Sequence, residues 1–182
     1  MTLDKMPGGM MRNFLILLLL AAGGCQNVGF LPAGAAATLA SPSHVEAYTL
    51  GKIEDHPGLG GKMDGFAVTG TQKIEDISAQ QLAVVVADTS SYSDNMPNAD
   101  FTPIVGYRFY RQLDHGKGQV SVDVLLDFQN DLLMLVTRDN RVREYFRRIL
   151  DSSPARERLL DLTQQIFPMN TEIQSILSYP GK

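Results

Sequence analysis

The chain's one cysteine, Cys25, follows Ala22-Gly23-Gly24 and a greasy run that begins at Phe14. The other residues able to do chemistry are scattered. Of the three histidines, His44, His56 and His115, none has metal-ligand spacing, and a zinc site needs three or four convergent ligands. The glycine-rich stretch GKIEDHPGLGGKMDG (51–65) invites a phosphate-loop reading. However, His56 stands where the pattern requires glycine and Met63 where it requires Ser or Thr, so the tight turn and the magnesium-binding hydroxyl are both missing. The acidic stretch 88–100 carries Asp88, Asp94, Asn95, Asn98 and Asp100 without the order or central glycine of an EF-hand. Asp123 and Asp127 fall on one face of a strand, but ~13 Å of rise separates them, too far for paired acid/base work. They read as the wet face of an amphipathic strand. Arg138, Arg141, Arg143, Arg147 and Arg148 form the one basic cluster, a possible interaction surface for anionic groups or an acidic partner. The pattern holds no G-x-S-x-G elbow, so the expectation is of no catalytic residues, no metal and no cofactor.

The elements that must position these residues follow from periodicity. HVEAYTL (44–50) and GFAVTG (65–70) are expected strands flanking the glycine-rich loop. Ser78 and Gln81 have capping-box spacing, with Ile77 and Leu82 at the staple positions, and Leu82, Val85 and Val86 form the helix's apolar face. A β-meander follows: IVGYRFYRQ (104–112), the turn DHGKG (114–118), and a strand alternating Val120, Val122, Val124, Leu126 and Phe128 with polar residues. Asn130-Asp131 makes a tight turn into LLMLVT (132–137), apolar on both faces as an inner strand would be. Residues 142–149 have helical spacing too, but the meander context favours a strand. Ser153-Pro154 opens a helix in cap-then-proline order, with Leu159, Leu162 and Ile166 buried and Pro168 ending it. The fold class expected is α+β: an antiparallel meander sheet with about two helices on one face.

The segment Phe14–Ala22 is too short to span a bilayer and suits the apolar core of a secretory signal, with Arg12 ahead of it. Together with Ala22-Gly23-Gly24-Cys25 it resembles the lipobox of bacterial lipoproteins, Ala22 replacing the usual leucine. The resemblance implies cleavage before Cys25, a thioether-linked diacylglycerol on its sulfur and acylation of the new amino terminus. It places the protein in the cell envelope, at the outer membrane or the periplasmic face of the inner one, with the lipid bilayer as its first partner. On this reading residues 1–24 are the signal peptide. Cys25 and the uncharged Ala/Gly/Pro/Ser-rich stretch to Ser43 form a lipidated, flexible linker with a reach of roughly 25 Å. Residues 44–182 form a single domain. The full chain has 16 basic and 20 acidic residues. Removing Lys5, Arg12 and Asp4 leaves a net charge of about −5, which argues against nucleic acid as a partner.

The order DFTPIVGYRFYR…VSVDVLLDFQND, followed by a helix ending in IFP, resembles a set of small uncharacterised bacterial exported proteins. In those a Cys-x-x-Cys follows the central strand. Asp127 and Asn130 hold that spacing here, so no thiol chemistry carries over. The functional expectation is a non-enzymatic envelope interaction module with a protein partner at Arg138–Arg148. The alternative is a small-molecule or metal-ion binding domain using loops 51–65 and 88–100.

Overall fold

The computed structural model describes residues 31–93, 99–113, 118–139 and 144–177. Cys25, the acidic-stretch residues Asp94, Asn95 and Asn98, His115, Arg141 and Arg143 lie outside the described residues. In chain order the elements are α1 (Ala33–Ala40), β1 (His44–Gly51), β2 (Lys62–Met63), β3 (Phe66–Lys73) and α2 (Asp76–Ala87). They continue with β4 (Val105–Gln112), β5 (Gln119–Asp127), β6 (Leu132–Asp139), β7 (Glu144–Asp151), α3 (Arg156–Ile166) and the single turn α4 (Thr171–Gln174). The strands form one sheet in the order β2-β3-β1-β4-β5-β6-β7, with antiparallel pairing throughout. The fold is thus α+β with an antiparallel sheet, and the ambiguous segment after Asn140 is strand β7.

Period-2 alternation sends Tyr107, Val122, Val124 and Leu135 to one face, where α1, α2 and α3 lie in a touching layer. Tyr107 and Phe109 are fully buried there. The Tyr107 hydroxyl meets Thr163 Oγ1 on α3 at 2.8 Å, and that oxygen also donates to the Leu159 carbonyl at 2.7 Å. The opposite face has its own small core of Leu50, Met63, Leu125, Met134 and Val136, edged by Tyr48, Phe66, Val68, Phe101 and Ile149. Met63 comes from β2, at one end of the strand order, yet lies over Gly106 of β4, at its middle. A Cβ on Gly106 would stand 2.4 Å from its sulfur, so glycine there is what admits the close approach. The sheet curls until its β2–β3 end roofs its middle.

Three expectations are overturned. Asp123 is 0% exposed and Asp127 2%, so the polar side of β5 is a second interior rather than a wet face. The stretch expected to be a flexible linker contains α1, whose Ala35, Thr38 and Leu39 are buried, so the folded unit begins at Leu31 and not His44. Alanine has the best helix propensity, and Leu39 finds an apolar seat against the sheet. Leu39→Ala should therefore cost about 2–4 kcal/mol in a urea titration, whereas a residue in a free linker would leave the midpoint unchanged. Finally, α2 starts at Asp76 after Glu75, with no side-chain cap, and Ile77 is exposed. The Ser78–Gln81 capping box and its staple do not form. Starting a turn earlier places Asp76 at the positive end of the helix dipole and still buries Ala79, Leu82, Val85 and Val86.

Candidate functional site

The second face of the sheet gathers the charged groups. Its turning point is Asp64-Gly65, a two-residue hairpin loop in which both residues have positive φ, 48° and 92°. Asp-Gly is the dipeptide such loops favour. The loop carries Asp64 across to β6, where Arg138 Nη2 donates to Asp64 Oδ1 at 2.6 Å. Through Nη1 the same guanidinium donates to Asp123 Oδ2. From the other side Arg108 grips Asp123 with two parallel bonds, Nε to Oδ1 at 2.6 Å and Nη2 to Oδ2 at 2.8 Å. Such a fork is geometrically specific as well as strong. Asp64 and Asp123 are both buried, while Arg108 and Arg138 keep about a quarter and a third of their side chains in solvent. Burial pushes the Asp64 carboxyl up, opposed by Arg138 and reinforced by Asp123.

The strip continues towards β1. Arg108 is opposite both Glu46 and Asp123 in register, and its guanidinium carbon lies 5.9 Å from the centre of the Tyr48 ring, within cation–π range. Glu46 Oε2 accepts from the Tyr48 hydroxyl and, at 2.7 Å, from the Tyr110 hydroxyl. His44 stacks on Tyr110 with ring centres 4.2 Å apart. Burial pushes the Glu46 carboxyl up, but the two tyrosine hydrogen bonds, with His44 and Arg108 nearby, outweigh it and leave the carboxyl below its ordinary value. A carboxyl depressed in the folded state stabilises above its unfolded pKa of ~4.3. That contribution disappears as pH falls through the folded value. Glu46→Gln should thus flatten the loss of stability below pH ~4, read from urea midpoints at stepped pH. An unchanged slope would mean that the tyrosines do not hold the charge.

Asp127 has a different task. Its Oδ2 accepts from the Thr102 N–H at 2.8 Å, and its Oδ1 from the N–H groups of Gln129 and Asn130 at 3.0 and 3.1 Å. Asn130 Nδ2 donates to Oδ2 at 2.9 Å and to the Asp100 carbonyl at 2.9 Å. This carboxylate ties the β5–β6 turn to the chain entering β4. Beside it a cleft of about 450 Å³ runs past Thr102, Phe128, Arg156 and Leu177. Arg156 is engaged there with Asp131, Glu157 and the Leu177 carbonyl.

The expected arginine surface is divided. Arg138 faces the interior pair just described. Arg147 is opposite Val136 and Arg148 opposite Leu135, so they alternate to opposite faces of β7, and Arg147 Nε approaches Met134 Sδ at 2.8 Å. The expected binding loops meet just beyond their ends, where Phe66 and Phe101 stand edge to face with ring centres 5.9 Å apart. Asp88 turns back on Ser90, and Asp100 is exposed. Among the described residues no group of three or more His, Cys, Asp or Glu is placed to hold a metal ion.

No motif in the linear sequence singles out Asp64, Glu46, Tyr48, Arg108 or Tyr110. The Asp-Gly dipeptide signalled a hairpin inside the supposed loop, and period 2 along IVGYRFYRQ puts Gly106, Arg108 and Tyr110 on one side. What could not be read was that β1, β4, β5 and β6 bring them into one row.

The fold and site define an α+β domain with helices on one sheet face and a charge-paired, aromatic-flanked strip on the other. The chain matches no family model, no curated protein and no solved structure.

Proposed function

We propose that the chain is a lipid-anchored lipoprotein of the bacterial cell envelope, acylated on Cys25, whose domain is a non-enzymatic interaction module. The anchor rests on the lipobox-like Ala22-Gly23-Gly24-Cys25 after the apolar run. The observation that carries the interaction reading is the double grip on Asp123. A carboxylate held by two guanidinium groups is committed to fixing them in place, which makes Arg108 and the neighbouring rings a pre-organised surface. Aromatic side chains and arginine are the residue types that dominate protein-binding surfaces. The contact surface therefore moves from the Arg138–Arg148 segment to the strip of His44, Tyr48, Arg108 and Tyr110, and its partner is an envelope protein.

The test places a photo-cross-linking amino acid at Tyr110 or at Arg147 in the anchored protein, and mass spectrometry of the N-terminal peptide reports acylation. One discrete adduct from position 110, weakened by Tyr48→Ala and missing from position 147, is the expected result. Adducts at 147 alone would return the surface to the arginine segment. Absence of adducts at both positions in acylated protein would remove the interaction reading.

A further inference from the structure

We infer that the helical layer of the domain lies against the bilayer, with Ile77 and Val84 of α2 inserted at the headgroup–acyl boundary. The inference rests on the acylation of Cys25 proposed above. It begins with reach. Only residues 26–30 separate Cys25 from Leu31, which is buried in the domain. Fully extended, that stretch covers about 20 Å, half of the roughly 40 Å across that a domain of this length spans. The docking of α1 thus converts a long tether into a short one, and the surface around α1 is the part of the domain held next to lipid.

That surface has the composition such a position requires. α1 reads AGAAATLA and carries no charge. α2, which packs against α1, has no charged residue from Ile77 to Ala87. Ile77 is 69% exposed and Val84 60%. Seven residues apart, they stand on one stripe of the helix, separated by about 10 Å along its axis. Glu75 and Asp76, at the start of α2, mark where the uncharged patch ends and headgroup water begins. α3 in the same layer differs: its exposed positions include Arg158 and Asp161. Exposed aliphatic side chains on an uncharged helix suit the apolar side of an interfacial helix, and they add a second attachment to that of the acyl chains. The strip on the opposite sheet face is then turned away from the membrane, open to a partner.

The experiment uses the full acylated chain in vesicles of phosphatidylethanolamine and phosphatidylglycerol. Because acylation blocks Cys25, a nitroxide attaches only at an introduced cysteine: Ile77→Cys, Val84→Cys, or Lys62→Cys on the β2–β3 hairpin as the reference. Collision with oxygen reports lipid exposure and collision with a nickel chelate reports aqueous exposure. The expected result is a several-fold lower nickel-to-oxygen ratio at 77 and 84 than at 62, corresponding to a depth of about 5–10 Å. Equal ratios at all three sites, with acylation confirmed by mass, would overturn the orientation and leave the anchor standing. Nickel protection that rises with protein density at fixed lipid would assign the patch to a second copy and also overturn it. An unmodified Cys25 would remove both the anchor and the orientation built on it.

Discussion

Asp123→Ala is expected to lower the unfolding free energy by about 3–5 kcal/mol in a urea titration, the range for breaking a buried ion pair by removing one partner. The size follows from what is left behind. Arg108 loses both bonds of its fork and Arg138 loses one of its two carboxylates, on a face where Leu125, Met134 and Val136 are closely packed. The loss is shared among residues in one network, so it is not additive. Arg138→Ala should cost less in the Asp123→Ala background than in the wild type, with a coupling of about 1–3 kcal/mol in a double-mutant cycle. Additive costs would show that the two residues act independently and that the contact is incidental. Arg138 also secures Asp64. Hydrogen exchange across the β2–β3 hairpin should therefore accelerate in Arg138→Ala, since its side chain is what ties the roof to β6.

Asp127→Ala is expected to cost on the order of 4 kcal/mol, because it orphans three backbone donors and removes one of the two acceptors of Asn130 Nδ2 in a part-buried turn, at roughly 1–3 kcal/mol for each group that water does not reach. The signature is local. Amide exchange at Thr102, Gln129 and Asn130 should rise more than at the centre of β5, because these N–H groups lose their acceptor. Asp127→Asn keeps one carbonyl oxygen and should fall between alanine and wild type. Unchanged protection at the three amides in Asp127→Ala would show that the carboxylate is not what closes the turn.

These two aspartates mark the boundary between what could be read in the chain and what could not. Sequence alone determined the meander from Ile104 to Thr137, because β-branched and aromatic residues at period 2, broken by Asn130-Asp131, leave few alternatives; the last strand, 144–151, carried helical spacing as well, and its pairing with β6 decided it. Sequence also determined α3 through Leu159, Leu162 and Ile166 repeating at helical spacing, although Ser153-Pro154 forms a 3-10 turn ahead of the helix and Ala155, not Ser153, is its cap. It also raised the lipobox resemblance at Cys25. Only the tertiary structure decided the status of Asp123 and Asp127. Alternation says which side of a strand a residue faces, but whether that side is wet depends on what covers it. For Asp123 the cover is a distant hairpin turned by Asp64-Gly65 and seated through Met63 over Gly106; for Asp127 it is the chain entering β4 at Thr102 and the turn at Asn130. Similarly, AGAAATLA has the composition of a linker, and small uncharged residues carry little amphipathic signal. Ala33–Ala40 is a packed helix because the sheet provides a seat for Leu39, a long-range contact that no local pattern encodes.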